Sequence, residues 1–365
     1  MLIEIQLIQG LWKINMKTIL KEISNKFNNK NIFFKNAKDV FYLTRFKSSN
    51  LIVLLINENW YAVTDQRYFQ QAKKEIVGME VLDMGQKEWF KNLLEKNKFE
   101  NIFFNKNDFT ISEYEIYCKN FEKYNVKINL FEYGNLTIFN NENDINLLKK
   151  SSILNDKIFQ NSLSKLKLGM TEKDFQKVIL KEIIDSEADG FSFEPIVASG
   201  VNSSNPHWSA SDKKINKNEL ITIDLGVYLN GFASDMTRTF VFEGEISEEE
   251  IKIWNLVKKA LEETTNLLKP GIKCSELHTK AIKIFEKEGY SKYFVHALGH
   301  GLGVDIHDYP NISIYSKSIL KEGMVITIEP GIYIPNKYGV RLENAILITK
   351  DGYEILNKTN MTLFI

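Results

Sequence analysis

A chain of 365 residues is long for one domain, so two are expected. Its 44% hydrophobic and 26% charged residues are those of an ordinary globular protein with a sizeable core in each part. The 47 basic and 47 acidic side chains cancel and form no long run of one sign, which speaks against nucleic acid or an anionic membrane as partner.

The two cysteines, Cys118 and Cys274, lie far apart without CxxC spacing, which suits a reducing compartment and offers no thiolate metal site. No apolar run has the length of a transmembrane helix. The opening MLIEIQLIQGLW carries Glu4 and lacks both the basic start and the small-residue cleavage site of a signal peptide. A cytoplasmic protein is expected.

Up to about residue 130 the chain alternates short apolar runs with helical patterns. NIFFK, NLIVLLIN, WYAVTD, EVLDM and NIFFN predict strands, so residues 16–131 read as a smaller α/β domain. EYGNLTIFNNEND, residues 132–144, reads as the linker to a second domain over 145–365. There Phe159, Leu163 and Leu166 share a helical face that Gly169 ends. Thr171 caps a second helix with Phe175, Val178, Ile179 and Ile183 inward. Ser247 and Glu250 form the capping box of a third, whose stripe is Ile251, Trp254, Val257, Leu261 and Leu268 before a stop at Pro270-Gly271. A fourth starts at Ser275, buries Leu277, Ala281, Ile284 and Phe285, and stops at Gly289. PIVAS, ITIDLGVYLNGFASDMTRTF, FVHAL, MVITIEP and VRLENAILIT predict the strands of an α+β domain with antiparallel pairing.

Asp224 and Asp235 stand within the second of these stretches, where burial is costly. Asn230-Gly231 predicts a two-residue hairpin turn. Asp235 then lies opposite Gly226, with Asp224 diagonal to it on the same face, Cα atoms roughly 7–8 Å apart. Two anions so placed repel, and a cation between them removes the repulsion. A second hairpin repeats the arrangement. With a five-residue PNKYG turn, Glu343 opposes Gly331 and Glu329 opposes Ala345, so both glutamates share a face with Arg341. Between the hairpins, FVHALGHGLGVDIHD brings His296, His300 and His307 among glycines that permit close backbone approach.

Two Asp, two Glu and one of these histidines make a mostly oxygen ligand set that suits Mn²⁺, Co²⁺ or Zn²⁺. Four carboxylates balance two divalent ions, so a paired-metal centre bridged by hydroxide is the charge-consistent arrangement. A single Asp in a strand is ordinarily an edge or bulge residue, and a single His a satisfied or exposed one. The repeated same-face arrangement is what points to metal. His278 and Asp212 have no such context and read as structural and solvated.

These motifs resemble the pita-bread metallopeptidases, and within them the Xaa-Pro peptidases, aminopeptidase P and prolidase. The resemblance lies in IVASGVNSSNPHWSASDKKINKNELITIDLGVYLNGFASDMTRTFVF, HALGHGLGVDIHDYPNIS and EGMVITIEPGIYIPNKYGVRLENAILIT. DVFYLTRFKSSNLIVLLI and VTDQRYFQQAKKE resemble the creatinase-type N-terminal domain. The resemblance runs from Met16 onward.

It implies a pita-bread catalytic domain and five metal ligands, Asp224, Asp235, His300, Glu329 and Glu343. Asp235 and Glu343 would bridge both ions, Asp224 would bind one, and His300 and Glu329 the other, with Glu329 as general base. His207 and His307 would contact the scissile amide and stabilise the oxyanion, His296 would hold the prolyl residue, and Arg341 would orient Glu343. Two Mn²⁺ ions and a homodimer are further implications.

Three departures stand out. Asn344 replaces an acidic residue, Arg45 replaces a glycine, and residues 1–15 precede the usual start as a mis-called start or a disordered tail. The activity expected is hydrolysis of the bond between an N-terminal residue and proline. An Xaa-Pro aminopeptidase is the leading reading, and a prolidase acting only on dipeptides the alternative. A metal-free binding module of the same fold is a distant third. Methionine aminopeptidases usually lack the N-terminal domain, and creatinase lacks the ligand set.

Overall fold

The computed structural model describes residues 16–28, 30–132, 136 and 141–365. The expected extension, residues 1–15, lies outside the described residues, as do residues 133–135 and 137–140 of the expected linker. The chain divides into two compact units, Met1–Thr137 and Ile138–Ile365. Among the described residues no helix is long and apolar enough to cross a membrane.

In the first unit a helix α1 over residues 16–26 precedes strand β1 (Ile32–Phe34) and helix α2 (Ala37–Thr44). Strands β2 (Leu51–Ile56) and β3 (Asn59–Thr64) form a hairpin. Its two turn residues, Asn57 and Glu58, both have positive φ, the geometry that matches strand twist. Helices α3 (Gln66–Glu75), α4 (Trp89–Asn97) and α5 (Ile111–Glu122) then alternate with β4 (Glu80–Asp83), β5 (Asn101–Asn105) and β6 (Lys127–Phe131).

The six strands make one mixed sheet in the order β4-β3-β2-β1-β5-β6, around a core rich in phenylalanine that includes Phe33, Phe90, Phe104 and Phe121. All five expected strands are present; β6 is an addition, a half-exposed edge strand with a weak apolar pattern. Arg45 sits at the end of α2 with φ 55°, the left-handed conformation that glycine adopts without a Cβ penalty. Its guanidinium lies 4.7 Å from the centre of the Tyr42 ring.

The second unit opens on α6 (Glu142–Leu163), capped by Asn141 within the stretch expected as linker. This helix ends at Leu163, short of Gly169, and Leu166 packs into the core from the turn that follows. Helix α7 (Glu172–Ile184) carries the expected Thr171 cap. Strands β7 (Gly190–Phe191), β8 (Ile196–Ser199), β9 (Leu220–Leu225), β10 (Val227–Leu229), β11 (Phe232–Ala233) and β12 (Met236–Val241) follow. Helix α8 (Glu248–Thr265) has the Ser247–Glu250 capping box, and α9 (Cys274–Lys287) packs beside it. The last strands are β13 (Gly299–Gly301), β14 (Asp308–Ile312), β15 (Val325–Ile328), β16 (Gly331–Ile334), β17 (Tyr338–Arg341), β18 (Asn344–Ile348) and β19 (Tyr353–Ile355).

Every pairing between these strands is antiparallel, and a single parallel bridge joins Val241 at the end of β12 to Phe364. Helices α6 and α7 bury Phe159, Phe175, Ile179 and Ile183 against β8, β9 and β12. Helices α8 and α9 bury Trp254, Val257, Leu277 and Phe285 against the C-terminal strands. FVHAL does not form a strand. The backbone bends through it and pairing begins only at Gly299, where a Cβ would stand 2.0 Å from the Thr327 carbonyl oxygen.

The Asn-Gly hairpin has the expected register. Leu229 pairs with Phe232 across the two-residue turn, and Leu225 with Met236 beyond it, so counting inward from either pair puts Asp235 opposite Gly226. Here β9 gives way to β10, and a Cβ on Gly226 would lie 2.0 Å from the Ser234 carbonyl oxygen and 2.2 Å from Ser192 Oγ. The second hairpin differs. Ile334 pairs with Tyr338, so the turn has three residues, with Asn336 at φ 59°, and the register slides by two. Gly331 therefore opposes Arg341, and the pairs on either side bring Glu329 opposite Glu343. A slide of two leaves every side chain on its expected face.

Gly226→Ala should lower unfolding stability by about 1–3 kcal/mol or more, because the new methyl meets the Ser234 backbone carbonyl, which unlike a side chain cannot swing aside. A denaturant midpoint equal to wild type would contradict this.

Candidate metal centre

Asp224 lies on β9, between Ile196 of β8 and Thr237 of β12, and Asp235 directly precedes β12. Glu329 follows β15, Glu343 precedes β18, and His300 is the middle residue of β13. Asp235, His300 and Glu343 offer ligand atoms that all lie within 4.8 Å of one another. His300 Nε2 stands 3.6 Å from Asp235 Oδ2 and 3.4 Å from Glu329 Oε1.

His300 Nδ1 is 3.0 Å from the Gly301 carbonyl, which only accepts, so this nitrogen carries the hydrogen. Burial holds the ring's pKa near 4, so the imidazole is neutral and presents the Nε2 lone pair to the carboxylates. Lone pair and carboxylate oxygens repel. A cation among them turns each contact into a ligand bond.

The carboxylates carry the same signature. Burial first, then Glu343, Asp224 and Glu329, push Asp235 well above the usual carboxylate range. Burial, with Glu329 and Asp224, does the same to Glu343. Burial raises Glu329 to about 8 although Arg341 opposes the shift. Asp224 Oδ1 and Glu343 Oε1 are buried without a hydrogen-bond donor among the described residues. Orphaned acceptors of this kind are costly unless a cation meets them. The donor set and its charge thus fit divalent metal.

Arg341 differs from expectation. Because β17 packs against β9, its Nη2 pairs with Asp224 Oδ2 at 2.7 Å and not directly with Glu343. It reaches Glu343 through Thr237, whose Oγ1 accepts from Arg341 Nε (3.1 Å) and donates to Glu343 Oε2 (2.8 Å). Arg341 Nη1 also donates to the Tyr333 hydroxyl at 2.9 Å and to the Pro206 carbonyl at 3.2 Å.

Tyr333 in turn donates to His296 Nε2 (2.9 Å), since His296 Nδ1 faces the Ala297 carbonyl at 2.7 Å. Burial and the Arg341 charge hold His296 near 4, so it too is neutral. His307 is exposed with its ring 4.6 Å from that of His300, edge to face. His207 is exposed on the loop after a short 3-10 turn, Gly200–Ser204. His278 is a core histidine whose Nδ1 accepts from Leu298 N at 3.1 Å, as expected of it.

Tyr333 and Thr237 were not foreseen, though the period of two gives a signal for both. Tyr333 stands four residues beyond Glu329, and Thr237 two beyond Asp235, on the same strand faces. At the departing position, Asn344 Oδ1 accepts from Arg238 Nη2 at 3.0 Å. Arg238 also donates to the Glu343 carbonyl, so Asn344, though uncharged, steadies the backbone of Glu343 through the guanidinium that bonds both.

Residues 146–350 match the family model of metallopeptidase family M24, and residues 21–128 that of the creatinase/prolidase N-terminal domain. The chain belongs to metallopeptidase family M24 and has the pita-bread fold. Over 228 residues, 62% of the chain, it is 40% identical to an Xaa-Pro dipeptidase of Pyrococcus furiosus; the matched segment spans 65% of that relative, less than two-thirds of its length. Among solved structures, the Xaa-Pro dipeptidase from Bacillus anthracis matches 97% of this chain and 100% of its own, with TM-score 0.87 and 28% identity. An X-Pro aminopeptidase from Thermotoga maritima MSB8 matches 92% of this chain and 97% of its own, with TM-score 0.85 and 28% identity.

Metal binding to chelator-stripped protein should release protons at pH 7, because Glu329, at about 8, is then mostly protonated and a ligand carboxylate is not. Calorimetry in buffers of different ionisation enthalpy reads the number released. In the metal-free protein the raised Glu329 contributes stability that is whole below about pH 4.5 and is lost as pH climbs through about 8. Melting temperature without metal should therefore fall across that window, and a rise would contradict the assignment.

Proposed function

We propose that the protein hydrolyses the bond between an N-terminal residue and proline, and that its substrates are Xaa-Pro dipeptides. The cluster of four carboxylates, three buried and Glu329 partly so, with one neutral histidine carries the peptidase half of this reading. The sequence leans to an aminopeptidase. The Xaa-Pro dipeptidases of Pyrococcus furiosus and Bacillus anthracis among its relatives move the reading to the dipeptide. The Thermotoga maritima aminopeptidase keeps the longer substrate as the alternative.

Asp224, Asp235, His300, Glu329 and Glu343 would hold two divalent ions, Mn²⁺ being our assignment. Bound there, the ions supply a water of lowered pKa and polarise the substrate carbonyl. Glu329, partly buried with its Oε1 3.4 Å from His300 Nε2, is suited to take the proton of the attacking water and return it to the departing prolyl nitrogen. That nitrogen has no hydrogen in the peptide and leaves as a secondary amine, so it must receive one. His207 and His307, both exposed, are free to donate towards the scissile group and its oxyanion, where one donor is worth about 3–4 kcal/mol. His296 has both ring nitrogens engaged, so what it offers a prolyl ring is its face. Arg341 holds Asp224 in place with one oxygen left over for metal. We also assign a homodimer.

Metal-loaded protein should release alanine from Ala-Pro and leave Ala-Pro-Ala-Ala intact. Cleavage of the tetrapeptide would return the reading to the aminopeptidase, and no cleavage of either would overturn both. Glu329→Ala should lower kcat by about 10²–10⁴-fold or more, since it removes the proton carrier. Near-normal turnover in that variant would sink the assignment.

A further inference from the structure

The loop from Gly200 to Ser211 carries His207 and contains no strand. With no ladder, and beyond its one 3-10 turn and a bond from Lys173 N to the Ser211 carbonyl, the loop depends on side-chain bonds. Glu172, the first residue of α7, supplies them from a fully buried position. Its Oε1 accepts from Ser199 N (2.8 Å), Ser199 Oγ (2.8 Å) and Asn202 Nδ2 (3.0 Å). Its Oε2 accepts from Trp208 Nε1 (2.8 Å), Ser211 N (3.1 Å) and Ser211 Oγ (2.7 Å). Lys213 orients both hydroxyls: its Nζ donates to Ser199 Oγ and its backbone N to Ser211 Oγ, so each hydroxyl hydrogen points at Glu172.

The loop is tied on its other side to the metal centre. Arg341 Nη1 donates to the Pro206 carbonyl, and Gly339 N to Ser203 Oγ at 2.9 Å. His207 thus lies between Pro206, bound to the arginine that holds Asp224, and Trp208, bound to Glu172. Its own ring is exposed.

We propose that Glu172 is a positioning residue: it holds the Trp208 end of the His207 loop and so sets how His207 meets the substrate. The inference rests on the substrate role given to His207 above. A carboxylate is needed because both oxygens must accept. In Glu172→Gln, whichever way the amide turns, its NH₂ meets a backbone N–H, that of Ser199 on one side or of Ser211 on the other.

The test uses the full-length, metal-loaded enzyme and Ala-Pro. Glu172→Gln should lower kcat/KM about tenfold with metal content unchanged, since a displaced His207 loses its reach to the scissile group and its oxyanion, and should move the Trp208 indole N–H resonance in the NMR spectrum. His207→Ala should lower kcat/KM in wild type and cost less in the Glu172→Gln background. An unchanged kcat/KM in Glu172→Gln, or a loss that tracks lost metal, would overturn the proposal. If His207→Ala alone left KM and kcat unchanged, it would be the substrate role of His207 that had failed, and the proposal with it. Should Glu172→Gln not accumulate folded, Trp208→Phe decides, since it keeps the carboxylate and removes one donor. A kcat/KM lowered about threefold at full metal content supports the proposal, and an unchanged kcat/KM overturns it.

Discussion

Carboxylates that lose their hydration and face one another resist ionisation, and Asp235, Glu329 and Glu343 do both while Asp224 adds its charge from β9. Backbone alone would let such groups drift apart. What prevents this is that each sits at or beside a paired strand. Asp224, Glu329 and Glu343 are on or next to strands paired on both sides, and Asp235 is next to β12, which pairs with β9, so the carboxylates move only if ladders break. The repulsion is stored in a rigid frame and is available to a cation that relieves it. Metal affinity and fold stability are therefore linked in this unit, since the same ladders that hold the ligands together pay the cost of their proximity.

The two hairpins that carry the acids are joined by hydroxyls. Thr237 bonds Glu343 through its side chain, and its carbonyl accepts from Glu343 N at 3.1 Å. Thr239 Oγ1 donates to the Arg341 carbonyl and accepts from Arg341 N, closing a second link. Threonine suits these places because it is a good strand former whose hydroxyl both donates and accepts. Valine would fill the same space but lose the hydroxyl links, leaving the Glu343 N bond to the carbonyl of residue 237.

How far the sequence reached depends on what each feature needs. The Asp224–Asp235 pair was legible because Asn-Gly specifies a two-residue turn and side chains alternate with period two. The Glu329–Glu343 register was off by two because nothing local in PNKYG says where pairing resumes. Asn336 takes the left-handed conformation, and that lets Tyr338 and Gly339 join the ladder. The shared face survived the error, since an even slide conserves it. FVHAL has strand composition but meets the core at its two ends, Phe294 and Leu298, while Val295 is 64% exposed. Arg341's pairing with Asp224, and the burial of Glu172 under a loop nearly thirty residues further on, depend on contacts across sheets. An acidic residue opening a helix ordinarily reads as a solvated complement to the helix dipole, so Glu172 gave no sign of its role.

Arg341 joins the two parts of the site. Four of its contacts use separate directions of one planar group: Asp224 and, through Thr237, Glu343 on the ligand side; Tyr333 with His296, and Pro206 beside His207, on the side open to substrate. A lysine there would keep a positive charge beside Asp224 but present a point charge on a flexible stem in place of a fixed fork. The carboxylates would still be neutralised, yet the tyrosine and the loop would no longer take their positions from the same group. Charge balance alone does not select arginine; the need to hold ligands and substrate groups in one geometry does.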